Sequence, residues 1–241
     1  MRVIRAYLAE ASTANQRLEL PHAVFQHLVK VLRLGNGQPL EVFNGQGKRF
    51  SAELCEVSKR SATVQINEEI AATPESPIQT HMGLVMSKGD RFDYALQKAT
   101  ELGVTHITPL TAERCDLKLN AERAEKKIQH WLGVISSACE QCYRDFVPTL
   151  APVQSLESWV TEQISEVKLV MHTAAKQPNW PDQAPKAVSF LIGPEGGLTE
   201  REVEMAQQND FQSWQLGPRI LRTETAPVVM LSLLQAKWGD F

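Results

Sequence analysis

The chain has 241 residues, 43% hydrophobic and 22% charged, with a formal charge of −3; it suits one large or two smaller globular cores. No apolar run approaches a membrane span, and the N-terminus lacks the apolar core of a signal peptide, so the cytoplasm is the expected compartment. The slight negative charge excludes a protein that coats nucleic acid indiscriminately, though not one with a local basic patch.

Residues 1–72 read as short strands interrupted by one helix. Arg2–Leu8 alternates, Pro39–Asn44 is apolar, Asn44-Gly-Gln-Gly47 is a hairpin-type turn, and Phe50–Val57 and Ala62–Ile70 alternate again. The helix runs from about His22 to Leu32, with Phe25, Leu28, Val29 and Leu32 at helical spacing. This pattern predicts a small β-barrel. The segment holds nine Lys/Arg against seven Asp/Glu. Arg2, Arg5, His27, Lys30, Arg33, Lys48 and Arg49 either form one basic face or are scattered surface charge. Ala71-Ala-Thr-Pro-Glu-Ser-Pro77 has linker character, which places a domain boundary between 1–72 and 73–241.

Beyond it, strands and helices alternate, the signature of a parallel sheet. Strands are expected at Thr80–Met86, Val104–Leu110, Val167–Met171, Ala187–Leu191 and Trp214–Leu216. Helices are expected at Asp90–Leu102, Asn120–Tyr143, Ser155–Ile164, Thr199–Asn209 and Pro227–Lys237, the last with proline in its first turn. Cys139-Glu-Gln-Cys142 lies inside the long helical pattern, and no second pair exists. Reduced, half-buried thiols are expected there, not a metal or redox centre.

Two stretches carry the chemistry. Leu191-Ile-Gly-Pro-Glu-Gly-Gly-Leu198 joins an apolar strand to a helix opening on Thr199-Glu-Arg-Glu202, a reciprocal capping pattern. Gly193, Gly196 and Gly197 allow the backbone to approach a ligand closely. The loop is neither a Walker A nor a G-x-G-x-x-G motif. Leu216-Gly-Pro-Arg-Ile-Leu-Arg-Thr-Glu-Thr-Ala226 then concentrates Arg219, Arg222 and Glu224 between a strand and an apolar final helix. Two such loops at strand ends of one α/β domain define a candidate site. His172, at another strand end, is either catalytic or a hydrogen-bonding residue near the loop. Glu195 and Glu224 either cap and pair with arginine or contact substrate.

These two motifs resemble the C-terminal signatures of the RsmE family, enzymes that methylate N3 of a uridine in 16S ribosomal RNA. Val31-Leu-Arg33, Gln97-Lys-Ala-Thr-Glu-Leu-Gly103, Thr108-Pro-Leu110, Glu113-Arg-Cys115 and Glu140-Gln-Cys-Tyr-Arg144 extend the likeness over the whole chain. The resemblance implies an N-terminal PUA-like β-barrel and a C-terminal α/β SPOUT methyltransferase domain with a deep trefoil knot. It also implies S-adenosylmethionine as cofactor, a homodimer, and 16S rRNA as partner; the modest net charge points to an assembled small ribosomal subunit as the target, and neither metal nor membrane is expected. Carried over by position, Met171, His172, Ile192, Gly193, Pro194, Glu195, Gly196, Gly197, Leu216, Gly217, Ile220, Leu221 and Thr223 would hold the cofactor. Arg222, Arg219 and Glu224 are the catalytic candidates. Arg144 and Gln141 reach substrate or cofactor across the dimer, or pack a helix; the N-terminal basic residues would grip RNA phosphates.

Overall fold

A computed structural model describes residues 3–115, 117, 120–173 and 180–241. The chain divides into two compact units: Met1–Glu75 with Ser136–Val147, and Ser76–Ile135 with Pro148–Phe241.

The first unit is built on five strands: β1 (Arg5–Tyr7), β2 (Arg17–Glu19), β3 (Pro39–Phe43), β4 (Arg49–Cys55) and β5 (Thr63–Ile70). Their order is β1-β3-β4-β5-β2. Only the β1–β3 pair is parallel. The β3–β4 hairpin closes as predicted, because Asn44 Oδ1 accepts from the N–H groups of Gln46 (2.9 Å) and Lys48 (3.1 Å). Alternating inward residues, among them Val42, Phe50, Leu54, Val64 and Ile66, form a sealed core with Leu28.

The expected helix departs from its pattern. Only α1 (His22–Phe25) is α-helical, and Gln26–Val31 forms a π-helical turn in which Leu32 N–H donates to the His27 carbonyl at 2.9 Å. One extra residue in a turn rotates the residues after it by roughly 100°. Leu28 therefore stays buried, while Val31 and Leu32 face solvent.

The domain boundary also differs from a simple cut at 72. Residues 136–147 belong to the first unit because Asp145, wholly buried, pairs with buried Arg5 and accepts from Thr73 N–H at 2.7 Å. Glu140 accepts from Tyr7 N–H at 3.0 Å. No local pattern announces such ties, which join positions 72 to 140 residues apart.

In the second unit every strand pair is parallel. The strands are β6 (Gln79–Val85), β7 (His106–Thr111), β8 (Thr149–Leu150), β9 (Gln154–Ser155), β10 (Val167–Met171), β11 (Ala187–Ile192) and β12 (Gln212–Trp214). Their order is β12-β10-β11-β6-β7, with β8 and β9 both on β7. The helices are α2 (Asp90–Glu101), the part of α3 (Ala121–Cys142) up to Ile135, α4 (Leu156–Glu162), α5 (Glu200–Gln208) and α6 (Ala226–Trp238). Strands β2, β8 and β9, of two or three residues, are too short to show a period in sequence. Because the sheet is parallel, β10, β11 and β12 all end on one side, and α5 begins there with its reciprocal cap in place. No helix among the described residues is long and apolar enough to cross a membrane.

Candidate active site

The loops leaving β10, β11 and β12 line one cleft of about 780 Å³, a size suited to a small-molecule cofactor. The first loop holds Met171 and His172, the second Ile192, Gly193, Pro194, Glu195, Gly196 and Gly197, and the third Leu216, Gly217, Ile220, Leu221 and Thr223. Arg219, Arg222 and Glu224 line the same cleft. Residues 45 positions apart meet because β10 lies between β11 and β12 in the sheet. The His172 N–H, donating to the Trp214 carbonyl at 3.0 Å, ties the first loop to the third.

Close packing shapes the second loop. A methyl on Gly193 would lie 2.8 Å from Leu198 Cγ, nearer than carbon atoms approach. Gly197 has φ of 69° and donates to the Pro194 carbonyl at 2.9 Å, closing a tight turn. In the third loop, Gly217 has φ of 82°. The Arg222 carbonyl accepts from Thr225 (2.9 Å) and Ala226 (3.0 Å) and launches α6. Among the described residues, no acceptor pairs with the N–H of Glu195, Gly196, Gly217 or Leu221. Main-chain donors beside apolar Met171, Ile192, Leu216 and Leu221 make a cradle of the kind that holds a nucleoside and its polar edge.

Charge is arranged around that cradle. Arg222 lies 3.9 Å from Glu224, the arginine 80% exposed and the carboxylate 16%. Glu195 pairs with Arg91 at 3.0 Å. Arg114 donates to the Gly196 carbonyl at 2.9 Å. Arg91, Arg114 and Trp214 also line the cleft, and sequence reasoning missed all three as site residues. Arg114 sits inside the family-like segment Glu113-Arg-Cys115, which was the available signal.

The basic residues expected to meet RNA separate into two groups. His27, Lys30, Arg33 and Lys48 are exposed. Three others are held by partners inside the fold. Arg5 is wholly buried, paired with Asp145 and stacked 4.5 Å from the Phe43 ring. Arg49 is largely buried beside Glu41 and Asp145 and donates to the Ala71 carbonyl. Arg144 is bound by both oxygens of Glu75, at 2.6 and 3.0 Å. A guanidinium already neutralised and desolvated inside the fold is not offered to a phosphate. Arg2 lies outside the described residues. Cys139 is buried, and burial pushes its thiol up to about 12, leaving it protonated and unreactive at neutral pH.

Known proteins match this architecture. Residues 74–235 match the RNA methyltransferase domain family, and residues 20–67 the RNA methyltransferase PUA domain family. Fold and site therefore define an RNA methyltransferase: a PUA-like N-terminal domain and a parallel α/β methyltransferase domain. A Legionella pneumophila methyltransferase, solved with bound S-adenosylmethionine, is 40% identical and superposes with a TM-score of 0.96, each chain covered in full. Ribosomal RNA small subunit methyltransferase E from Neisseria gonorrhoeae, also bound to S-adenosylmethionine, is 37% identical over the full length of both chains, with a TM-score of 0.91. The enzyme of that name from Buchnera aphidicola is 34% identical over 99% of this chain and 98% of its own. The chain belongs to the ribosomal RNA small subunit methyltransferase E family.

Proposed function

We propose that this protein methylates N3 of one uridine in 16S ribosomal RNA, using S-adenosylmethionine held in the cleft of the second unit. The observation that carries this reading is the meeting of three strand-end loops in a single cleft, with two arginines and main-chain donors that find no acceptor among the described residues. The cradle of Gly193–Gly197 and Leu216–Thr223 fits the cofactor: its donors suit adenine and ribose edges, and its glycines leave room for close approach.

When bound, S-adenosylmethionine supplies an electrophilic methyl group on a sulfonium. The chain's residues must do the rest. Uridine N3 carries a proton and is a poor nucleophile until it loses it. Arg222 brings an exposed guanidinium to the cleft, where it would stabilise the negative charge spread over N3 and the two uracil oxygens. Arg219 adds a second cation. Glu224, mostly buried and within Coulombic reach of Arg222, is placed to accept the N3 proton. Holding the two reactants in one geometry supplies much of the remaining rate.

Exposed His27, Lys30, Arg33 and Lys48 of the first unit would hold RNA phosphates, which positions the substrate without selecting the base. On this reading the domain carries a trefoil knot, the enzyme works as a cytoplasmic homodimer, and the target is the assembled small subunit. The test is nucleoside mass spectrometry of small-subunit RNA incubated with purified protein and S-adenosylmethionine. The expected product is 3-methyluridine, abolished by Arg222→Ala with cofactor binding retained. A ribose 2′-O-methylated product, or no methylation of subunits or free RNA, overturns the assignment.

A further inference from the structure

Arg91 and Arg114 reach the glycine loop from two other strand ends. Arg91 lies in the first turn of α2, after β6, and Arg114 follows β7. The turn bearing Arg114 is itself fixed. Cys115 N–H donates to the Ala112 carbonyl at 3.1 Å, and Glu113 N–H donates to Glu202 Oε1 at 2.8 Å. The other oxygen of Glu202 accepts from Thr199 N–H at 2.8 Å, so one carboxylate anchors this turn and caps α5. From that base Arg114 donates to the Gly196 carbonyl at 2.9 Å, and its stem packs 3.5 Å from where a Gly196 side chain would begin.

Accepting the cofactor assignment above, we infer that Arg114 is a positioning residue for the cofactor loop, assisted by Arg91 acting through Glu195. The Gly196–Gly197 peptide is gripped at both ends: its carbonyl by Arg114, its N–H by the Pro194 carbonyl. Two consecutive glycines sample more backbone conformations than any other dipeptide. Left loose, they would have to be ordered each time a cofactor binds, which weakens binding. Fixing that peptide plane from outside preorganises the neighbouring Glu195 and Gly196 N–H groups, which have no acceptor among the described residues.

The two arginines are both exposed and differ in what they hold. Arg114 makes a charge-assisted bond to a main-chain carbonyl. Arg91 and Glu195 are 51% and 39% exposed, so their ion pair is screened by solvent and salt.

The test measures S-adenosylmethionine binding by calorimetry and hydrogen exchange at the Gly197 amide in the cofactor-free protein. Arg114→Met, which keeps the stem and removes the donors, is expected to bind S-adenosylmethionine about five- to tenfold more weakly. Exchange at Gly197 should accelerate, KM for the cofactor should rise more than kcat falls, and the melting temperature should hold. Arg114→Lys should recover part of the affinity. Arg91→Met should cost about threefold or less and lose its effect in high salt. Arg123→Met, an exposed arginine on α3 that does not line the cleft, is the control. Wild-type affinity with unchanged Gly197 exchange in Arg114→Met overturns the inference. If the wild-type protein binds no S-adenosylmethionine, the functional assignment falls instead, and Gly197 exchange alone decides whether Arg114 positions the loop.

Discussion

Replacing Arg5 by methionine tests the internal tie of the first unit. In the native fold Arg5 and Asp145 are both wholly shielded from water and paired. Arg5 also donates to the carbonyls of Cys139 and Arg144, each at 3.3 Å. Methionine would fill the stem's volume but leave Asp145 with the Thr73 N–H and a distant Arg49, 3.9 Å away. Removing one partner of a buried ion pair costs about 3–5 kcal/mol, because the remaining charge keeps its desolvation penalty without its Coulombic return. Arg49 compensates in part, which places the expected loss near the low end, about 3 kcal/mol. Replacing Asp145 as well, with leucine, should restore part of that loss, since the two most buried charges leave together while Glu41 and Arg49 keep each other as partners. Denaturant unfolding followed by far-ultraviolet circular dichroism, with hydrogen exchange of the β1 and β3 amides, reads the effect. All five tryptophans lie in the second unit, so their emission follows that unit separately. An Arg5→Met protein as stable as wild type, or a double variant less stable than both single ones, refutes the reasoning.

His81 should make stability depend on acid. Its Nε2 accepts from Trp159 Nε1–H at 3.1 Å. Burial, then the neighbouring His106, pulls its pKa down to about 4. Between about 6.5 and 4 the unfolded chain takes a proton that the folded one refuses, so stability falls as pH drops through that window, by up to about 3 kcal/mol; His81→Phe should flatten this part of an unfolding-versus-pH profile. Gly83→Ala would set a methyl 2.7 Å from the Trp159 ring and should cost about 1–3 kcal/mol in thermal unfolding. Thr199→Ala removes the side-chain acceptor for Glu202 N–H and should cost about 1 kcal/mol. Glu202→Ala should cost more, because Glu113 N–H loses its acceptor too.

Much of the second unit was legible from local pattern. The Val167–Met171 strand has the bounds its sequence suggests, and α5 begins with the Thr199–Glu202 cap that the spelling of residues 199–202 implies. Period and capping depend on neighbours within a few residues, so they survive translation into structure. The glycine and arginine motifs were equally legible, because glycine is demanded where backbone turns back on itself or is approached closely, as at Gly193 and Gly197.

Tertiary structure decided what those residues could do. Arg5 and Lys48 look alike in a charge count, yet one is sealed against Asp145 and the other faces solvent. The difference lies in a partner 140 positions away. Arg91 and Arg114 reach the Gly193–Gly197 loop only because β6 lies beside β11 and β7 beside β6. The π-helical turn at Gln26–Val31 likewise turned Leu32 outward against its helical spacing. Sequence patterning set where strands, helices and glycine turns fall, since those are local choices of backbone and solvent exposure. Which charges are buried, and which loops meet in one cleft, depends on strand order, a property of the folded chain as a whole.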